Sequence, residues 1–494
     1  MEIAIKIFQF VLCISILVVL HELGHYLPAK WFKTRVEKFF LFFDPYFSLF
    51  SMKKINGKWQ YKFLSPNQPD TEKIMVDGKE KEIPIDIGRL PESDWRKHPE
   101  STKYGIGWLP MGGYVKIAGM VDESMDTAQL QKPAEPWEFR SKPAWQRLII
   151  MLGGVTVNFL LAWLIYSCLS FFNGEFFTDL KKFDDGISVS SSGKKIGLQN
   201  GDKILRLDGK PVERFEETAI NLLFSDEVTV ERNGSEVTFP VNEEGIAEVI
   251  RQREAALYML PRFPMVIDSA FSEGARNAGL RKGDKVTAVN GRPVNFDDEV
   301  KDFFNQNKGK TVELSLENGG EIRTASIPVD ANGKIGVMQN LEPMTKFVTE
   351  RQYGVWQSIP RGFTRTIEAL TMQVKQFKII FNSKVQGYKN VGGPIAIVNM
   401  MPVDKKADGS IAINWAGFWK FTAMFSVWLA FLNLIPIPGL DGGHVMFTLW
   451  EIITGKPVPQ KVLEHAQLIG VIFLLGLMLL VFGNDIYKLL TGGF

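Results

Sequence analysis

Residues 7–25 read IFQFVLCISILVVLHELGH, an uncharged run from Ile7 to Leu20 that leads directly into His21-Glu22-Leu23-Gly24-His25. It comes close to the roughly 20 apolar residues that a helix needs to cross a bilayer core. Only Lys6, beside Glu2, precedes the run, and no small-x-small cleavage motif follows it. A retained anchor therefore fits better than a signal peptide. Leu148–Phe172, Phe421–Leu440 and Ala466–Gly483 are likewise free of charge. The sequence thus predicts a polytopic α-helical membrane protein with four transmembrane helices.

Lysine and arginine near the helix ends set the orientation. Lys30, Lys33, Arg35 and Lys38 follow the first run, and Arg140, Lys142 and Arg147 precede the second. After the second run, Glu175 and Asp179 come before any lysine. The first loop is expected to be cytoplasmic, with residues 173–415 and both termini outside, a layout that suits a multi-pass protein of a bacterial inner membrane. The 494 residues carry a net charge of +2 with 23% charged side chains, a balance that argues against a disordered chain and against a nucleic-acid partner. Two cysteines, Cys13 and Cys168, are too few for a disulfide framework and read as small core residues.

Between the spans, Leu41–Phe50 is aromatic-rich and interrupted by Asp44-Pro45, which suits a hairpin or re-entrant piece. Residues from about 55 to 100 form a polar insertion with turn pairs Asn56-Gly57 and Asp77-Gly78. Tyr104–Ala118 reads as a strand with a glycine break, at a sheet edge, around Gly112-Gly113-Tyr114-Val115-Lys116. Further on, Gly197-Leu198-Gln199-Asn200-Gly201-Asp202-Lys203 recurs as Gly279-Leu280-Arg281-Lys282-Gly283-Asp284-Lys285. Asp208-Gly209-Lys210-Pro211-Val212 recurs, at the same offset, as Asn290-Gly291-Arg292-Pro293-Val294. A matched offset across two motifs marks an internal repeat. Each copy resembles a PDZ domain, an α+β fold that binds extended peptides by strand addition. An inert spacer or a steric filter is the plainer reading. Ile359, Phe363, Ile367, Leu370, Val374, Phe377 and Phe381 then mark an amphipathic helix, lying on the membrane or packed on the second repeat.

HExxH on a helix puts His21 and His25 on one face, where both can reach a metal, with Glu22 beside a bound water. Zinc with an open position brings the pKa of its water to ~7. Glu22 can then take the proton and pass it to a leaving amine. Two histidines and a glutamate at the end of a spanning helix are costly, on the order of 2.5–3.5 kcal/mol for a mid-membrane charge, and need a compensating use. A third ligand is available in Asp441, just past the break that Pro436 and Pro438 make in Asn433-Leu434-Ile435-Pro436-Ile437-Pro438-Gly439-Leu440-Asp441-Gly442. His444 as a fourth ligand would close the open position, so it is expected behind the metal or at an interface; His98 is expected to be solvated.

HExxH in a first span with N-x-x-P-x-P-x-L-D-G in a later one resembles the site-2 protease family, and the paired repeats and the Gly112–Lys116 segment resemble its RseP-type bacterial branch. The resemblance covers nearly the whole chain. It implies an intramembrane zinc metalloprotease with one catalytic Zn2+, acting on transmembrane protein substrates already trimmed by a prior protease, such as an anti-sigma factor or a signal-peptide remnant. It also implies His21, His25 and Asp441 as zinc ligands and Glu22 as the catalytic residue. Asn433 matches a family asparagine that contacts substrate or the site, and Gly154-x-x-x-Asn158 matches a packing motif. Pro436, Pro438, Gly113, Tyr114, Val115 and Lys116 would shape the site or bind substrate. Phe42-Phe43-Asp44-Pro45 departs from the glycine-rich hairpin of related proteins, and the 55–100 insertion is longer.

The organisation expected is a first span at 1–28, a cytoplasmic loop at 29–146 with a membrane-associated β-hairpin region and the insertion, and a second span at 147–172. Two extramembrane PDZ-like domains follow at 183–260 and 261–345, then the amphipathic segment at 355–400 and spans at 416–440 and 466–488. A membrane-anchored PDZ adaptor with a structural zinc, in which Glu22 is dispensable, is the alternative of a different class. A metal transporter is a weaker one, because four helices without inverted repeats are few for that task.

Overall fold

The computed structural model describes all residues except 68–70, 77–78, 85–86, 121–132, 253, 255–256, 381–391, 407–408 and 491–494. The Asp77-Gly78 turn and Phe381 lie outside the described residues. The chain divides into one unit of residues 1–173, 353–373 and 392–494 and another of 174–352 and 374–391.

The first unit is built on helices α1 (Glu2–Trp31), α2 (Ala144–Asn173), the part of α3 (Val355–Ile380) up to Gln373, α4 (Pro394–Asn399), α5 (Trp415–Leu434), α6 (Asp441–Thr454) and α7 (Gln460–Leu490). Of these, α1, α2, α5 and α7 are long and apolar enough to span a membrane. The third span is shorter than the expected 416–440. It stops at Leu434 because Pro436 and Pro438 lack the N–H groups that a helix needs, and Asp441 opens a separate helix. Cys13 is buried as expected, but Cys168 is exposed on the outside of α2. Of the amphipathic stripe of α3, Ile359, Phe363 and Ile367 are exposed. Within this unit Ala369 and Leu370 pack with Ala162 and Tyr166 of α2, and the Trp163 Nε1–H donates to the Ile359 carbonyl at 2.8 Å.

Beside α1 lies a sheet of β1 (Val36–Ile55), β2 (Lys58–Pro66) and β3 (Lys103–Ile117), ordered β2-β1-β3. Asn56-Gly57 makes the β1–β2 turn, both residues with positive φ. β1 bends sharply, with positive φ at Phe42 and Tyr46. Its two limbs consequently flank the start of β3, Leu41 and Phe50 both facing Ile106. The end of β3 pairs only with the first limb, Phe39 opposite Val115 and Leu41 opposite Gly113. Gly113–Ile117 is therefore an edge among the described residues. Thr71–Val76 and Lys79–Pro84 pair antiparallel within the insertion. His98 is largely covered rather than solvated, its Nε2 3.0 Å from the Glu92 carbonyl oxygen.

The second unit holds two cores, one from Leu180 to Phe263 with Phe347, the other from Met265 to Ile335. The two copies share one topology. Their four-stranded sheets run 235–240, 227–232, 203–207, 210–211 and 321–328, 311–318, 285–289, 292–293. Positive φ at Asp208-Gly209 and at Asn290-Gly291 makes the equivalent hairpin turns. The aspartate of each Gly-x-x-Gly-Asp repeat is structural. Asp202 is wholly buried, accepting the Gln199 N–H at 2.8 Å and two Arg232 bonds at 2.8 and 2.7 Å. Asp284 accepts from Arg281 N–H at 2.7 Å, from Asn318 at 3.0 Å and from Arg323.

Candidate metal centre

His21 and His25 lie one turn apart on α1, and Asp441 is the first residue of α6. Asp441 Oδ2 is 3.2 Å from the Nε2 of each histidine, and the two Nε2 atoms are 3.3 Å apart. His25 Nδ1 lies 2.8 Å from the Ile150 carbonyl of α2, which can only accept. Nδ1 is thus protonated and Nε2 carries a lone pair. Asn158 is 3.1 Å from His21 Nδ1 through its amide, and its other amide atom, Oδ1, is buried without a partner. With the amide turned so that its oxygen faces His21, that oxygen accepts the Nδ1 proton and His21 also turns a lone pair inward.

Two imidazole lone pairs and a carboxylate oxygen thus converge, and the Oδ2 atom is itself buried without a hydrogen bond. Such an arrangement is repulsive unless a cation fills it. Tetrahedral metal–ligand bonds of ~2.0–2.1 Å place neighbouring donors about 3.3 Å apart, close to the spacing here. The donor set fits zinc. His444, also on α6, does not belong to this group of donor atoms.

The other expected residues divide. The Glu22 carboxylate lies near enough to His25, His21, Asp441 and the Val115 backbone N–H for each to act on its charge. Asn433, in the last turn of α5, has its Nδ2 3.3 Å from His21 Nε2. Pro436 and Pro438 form the link that delivers Asp441. Gly113 meets α1, where an added β-carbon would come 2.6 Å from Val18 Cγ1. Tyr114 and Lys116 serve the sheet instead. The Tyr114 hydroxyl donates to Asp44 at 2.8 Å, and Lys116 Nζ is 3.6 Å from Glu37. This follows from strand alternation, which sends neighbouring side chains to opposite faces.

Two features escaped the sequence reading. The Ile150 carbonyl orients His25 although nothing in an isoleucine side chain announces it. Gly24 and Gly153 let α1 and α2 touch backbone to backbone, leaving no room for a β-carbon at either. The small residue inside HELGH and the Gly153-Gly154 pair were the available signals.

The model of peptidase family M50 matches residues 9–66 and 90–477. The chain belongs to peptidase family M50. The unmatched stretch between those segments falls within the polar insertion. M50 relatives include the regulator of sigma-E protease RseP of Salmonella typhimurium, 26% identical over 97% of this chain and 98% of its own. The regulator of sigma E protease of Haemophilus influenzae is 27% identical over 78% of this chain and 88% of its own. A Neisseria meningitidis protein whose assigned name is that of a zinc metalloprotease is 26% identical over 97% and 98%.

Proposed function

We infer that this M50 peptidase hydrolyses peptide bonds in transmembrane segments of membrane proteins, as an intramembrane zinc metalloprotease in regulated intramembrane proteolysis. The observation that carries the site assignment is the convergence of three inward lone pairs, from His21, His25 and Asp441, on one point beside Glu22. These three side chains would hold the ion. When bound, zinc supplies a water acidic enough to lose its proton near neutral pH and a Lewis acid for the scissile carbonyl.

The rest is done by the chain's own groups. Ile150 and Asn158 hold the imidazoles in the tautomer that leaves Nε2 free. Glu22 accepts the proton of the attacking water and returns it to the leaving amide nitrogen. Asn433 stands at the rim of the donor set, where its amide can hydrogen-bond a substrate carbonyl. Because the Val115 backbone lies beside Glu22, the open edge of Gly113–Ile117 runs past the site. An unwound substrate segment can add there as a strand, replacing its helical hydrogen bonds.

The two repeated modules are read as PDZ domains that admit only pre-trimmed substrates, and they remain able to take an extended peptide. With the first loop cytoplasmic, the site lies near the cytoplasmic side of a bacterial inner membrane and the PDZ pair outside. Anti-sigma factors and signal-peptide remnants are the substrate classes that fit. The test is cleavage of a model transmembrane peptide in detergent by wild type and Glu22→Gln, each with and without a zinc chelator. Equal cleavage by both proteins, in the presence of chelator, would defeat the reading.

A further inference from the structure

Asp441 reaches the two histidines from a link that does little to hold itself. Between the end of α5 at Leu434 and the start of α6 at Asp441, Pro436 and Pro438 have no N–H to donate. The Ile437 N–H returns to the Ile435 carbonyl at 2.7 Å and the Leu440 N–H to the Ile437 carbonyl at 3.1 Å, so these bonds close inside the link. Leu440, just ahead of α6, offers its first turn no side-chain cap. Further along, α6 is held to α2, where Val445 joins Ile150 and Met151 and Arg147 pairs with Glu451. What meets the link itself is α7.

That contact is backbone to backbone. A β-carbon on Gly470 would overlap the Pro438 carbonyl. One on Gly439, whose φ is +102°, would stand 3.4 Å from the Gly470 carbonyl carbon and 3.3 Å from Leu474 Cδ1. Gly476 and Gly483, on the same helix, meet nothing within 4 Å. Of the 31 residues of α7 only Gln467, Gly470 and Asp485 are buried, so its deep contacts lie at two levels. About 22 Å along the helix from Gly470, the Asp485 carboxylate accepts the N–H of Gly393 at 2.8 Å and that of Ile395 at 2.9 Å, at the start of α4. In a bilayer, helices gain nothing by hiding apolar surface from lipid, and close approach at small residues and hydrogen bonds from polar ones hold them together. The fourth span has one hold of each kind, and the small-residue hold bears on the segment that carries a metal ligand.

We propose that α7 braces the metal centre, with Gly470 as a positioning residue that sets how closely Asp441 approaches His21 and His25. The proposal rests on the reading of these three side chains as zinc ligands. Any side chain at position 470 displaces Pro438, and Asp441 moves with the link, whereas metal–ligand distances tolerate shifts of only about 0.2 Å.

The experiment uses the full chain in phosphatidylcholine nanodiscs, stripped of metal and titrated with Zn2+ against a chelating dye and with Co2+ by its visible absorption. D441A should lose tight binding of both ions, which ties the signal to the site. G470A should bind Zn2+ about tenfold more weakly than wild type, the scale for groups that support a ligand. Its Co2+ band should weaken or shift, while the metal-free protein melts within a few degrees of wild type. L474A, which empties the space beside Gly439 instead of filling it, should weaken Zn2+ by a smaller factor. G476A and G483A should match the wild type. Wild-type affinity in D441A would overturn the zinc assignment and the brace with it. Loss in D441A but wild-type affinity in G470A, or in L474A where G470A does not fold, would overturn the brace and leave the site standing. A loss in G476A equal to that in G470A would also overturn the brace, because a methyl group anywhere on α7 would then do the same.

Discussion

Gly154 lies flat against His21. A β-carbon on it would stand 2.6 Å from the imidazole Cε1 and 2.8 Å from Nδ1, and would also collide with His25 Nε2. The gap between α2 and the two histidines is thus the width of a hydrogen atom, and Gly154→Ala must push the imidazoles away from Asp441. Zinc content by atomic absorption is expected to fall well below one ion per chain. A fully loaded Gly154→Ala protein would show that the imidazoles can yield at no cost to the donor set.

Glu22 faces the donor atoms without belonging to the His21–His25–Asp441 set. Glu22→Gln should therefore keep its zinc while cleavage of a transmembrane peptide falls on the order of 10²–10⁴-fold, the range for loss of a general acid–base. Chelation of the wild type should abolish cleavage, and added zinc should restore it. Loss of metal from Glu22→Gln would instead place this carboxylate among the ligands.

Strand addition makes a separate demand on the edge. Val115→Pro removes the backbone N–H beside Glu22 and spoils the open side of Gly113–Ile117. Cleavage should drop at least tenfold with zinc bound and with the melting temperature within a few degrees of wild type. Undiminished turnover would eliminate strand addition at this edge.

The short strands Glu175–Thr178 and Val348–Arg351 pair at the base of the second unit. The Asp179 N–H also donates to the Phe347 carbonyl at 2.8 Å. Replacing residues 180–346 by a short linker removes both cores but leaves that base closed. If the two repeated modules are a size filter, this deletion should cleave substrate whose outer domain is intact, in an assay comparing trimmed and untrimmed forms. Continued restriction to trimmed substrate would rule the filter out.

Lys103 gives a pH signature. Burial, then the charges of Lys38, Lys62 and Lys53, hold its folded value at about 8, below the ordinary 10.5, so the unfolded chain binds more protons between those limits. Stability should rise with pH from about 8 towards about 10.5, with the full penalty present below about 8. Melting curves in phosphatidylcholine discs should show this rise in the wild type and less of it in K103M. Equal slopes would remove Lys103 from the account.

Much of this protein was legible before any coordinates. Four uncharged runs have the length of a bilayer, HExxH has the spacing of a helical face, and matched offsets betray a duplicated module. These are local, periodic signals, written in consecutive residues. Other features had no such signature. Tyr114 and Lys116 looked like parts of the site beside Val115, but alternation along β3 turns them to Asp44 and Glu37. The cross-strand row of Lys53, Lys103, Lys38 and Lys116 was invisible because these residues are far apart in sequence and meet only through the folding of β1 around β3.

The sequence by itself determined the chemistry, because the residue types that can bind zinc and carry protons inside a membrane are few and costly to place there. Only the tertiary structure decided the geometry: that Asp441 starts a new helix, that the Ile150 carbonyl fixes the tautomer of His25, and that backbone contact at Gly24 and Gly153 brings α2 close enough to do so. Those facts depend on main-chain atoms and on distances between segments more than a hundred residues apart, which side-chain identity along the chain does not encode locally.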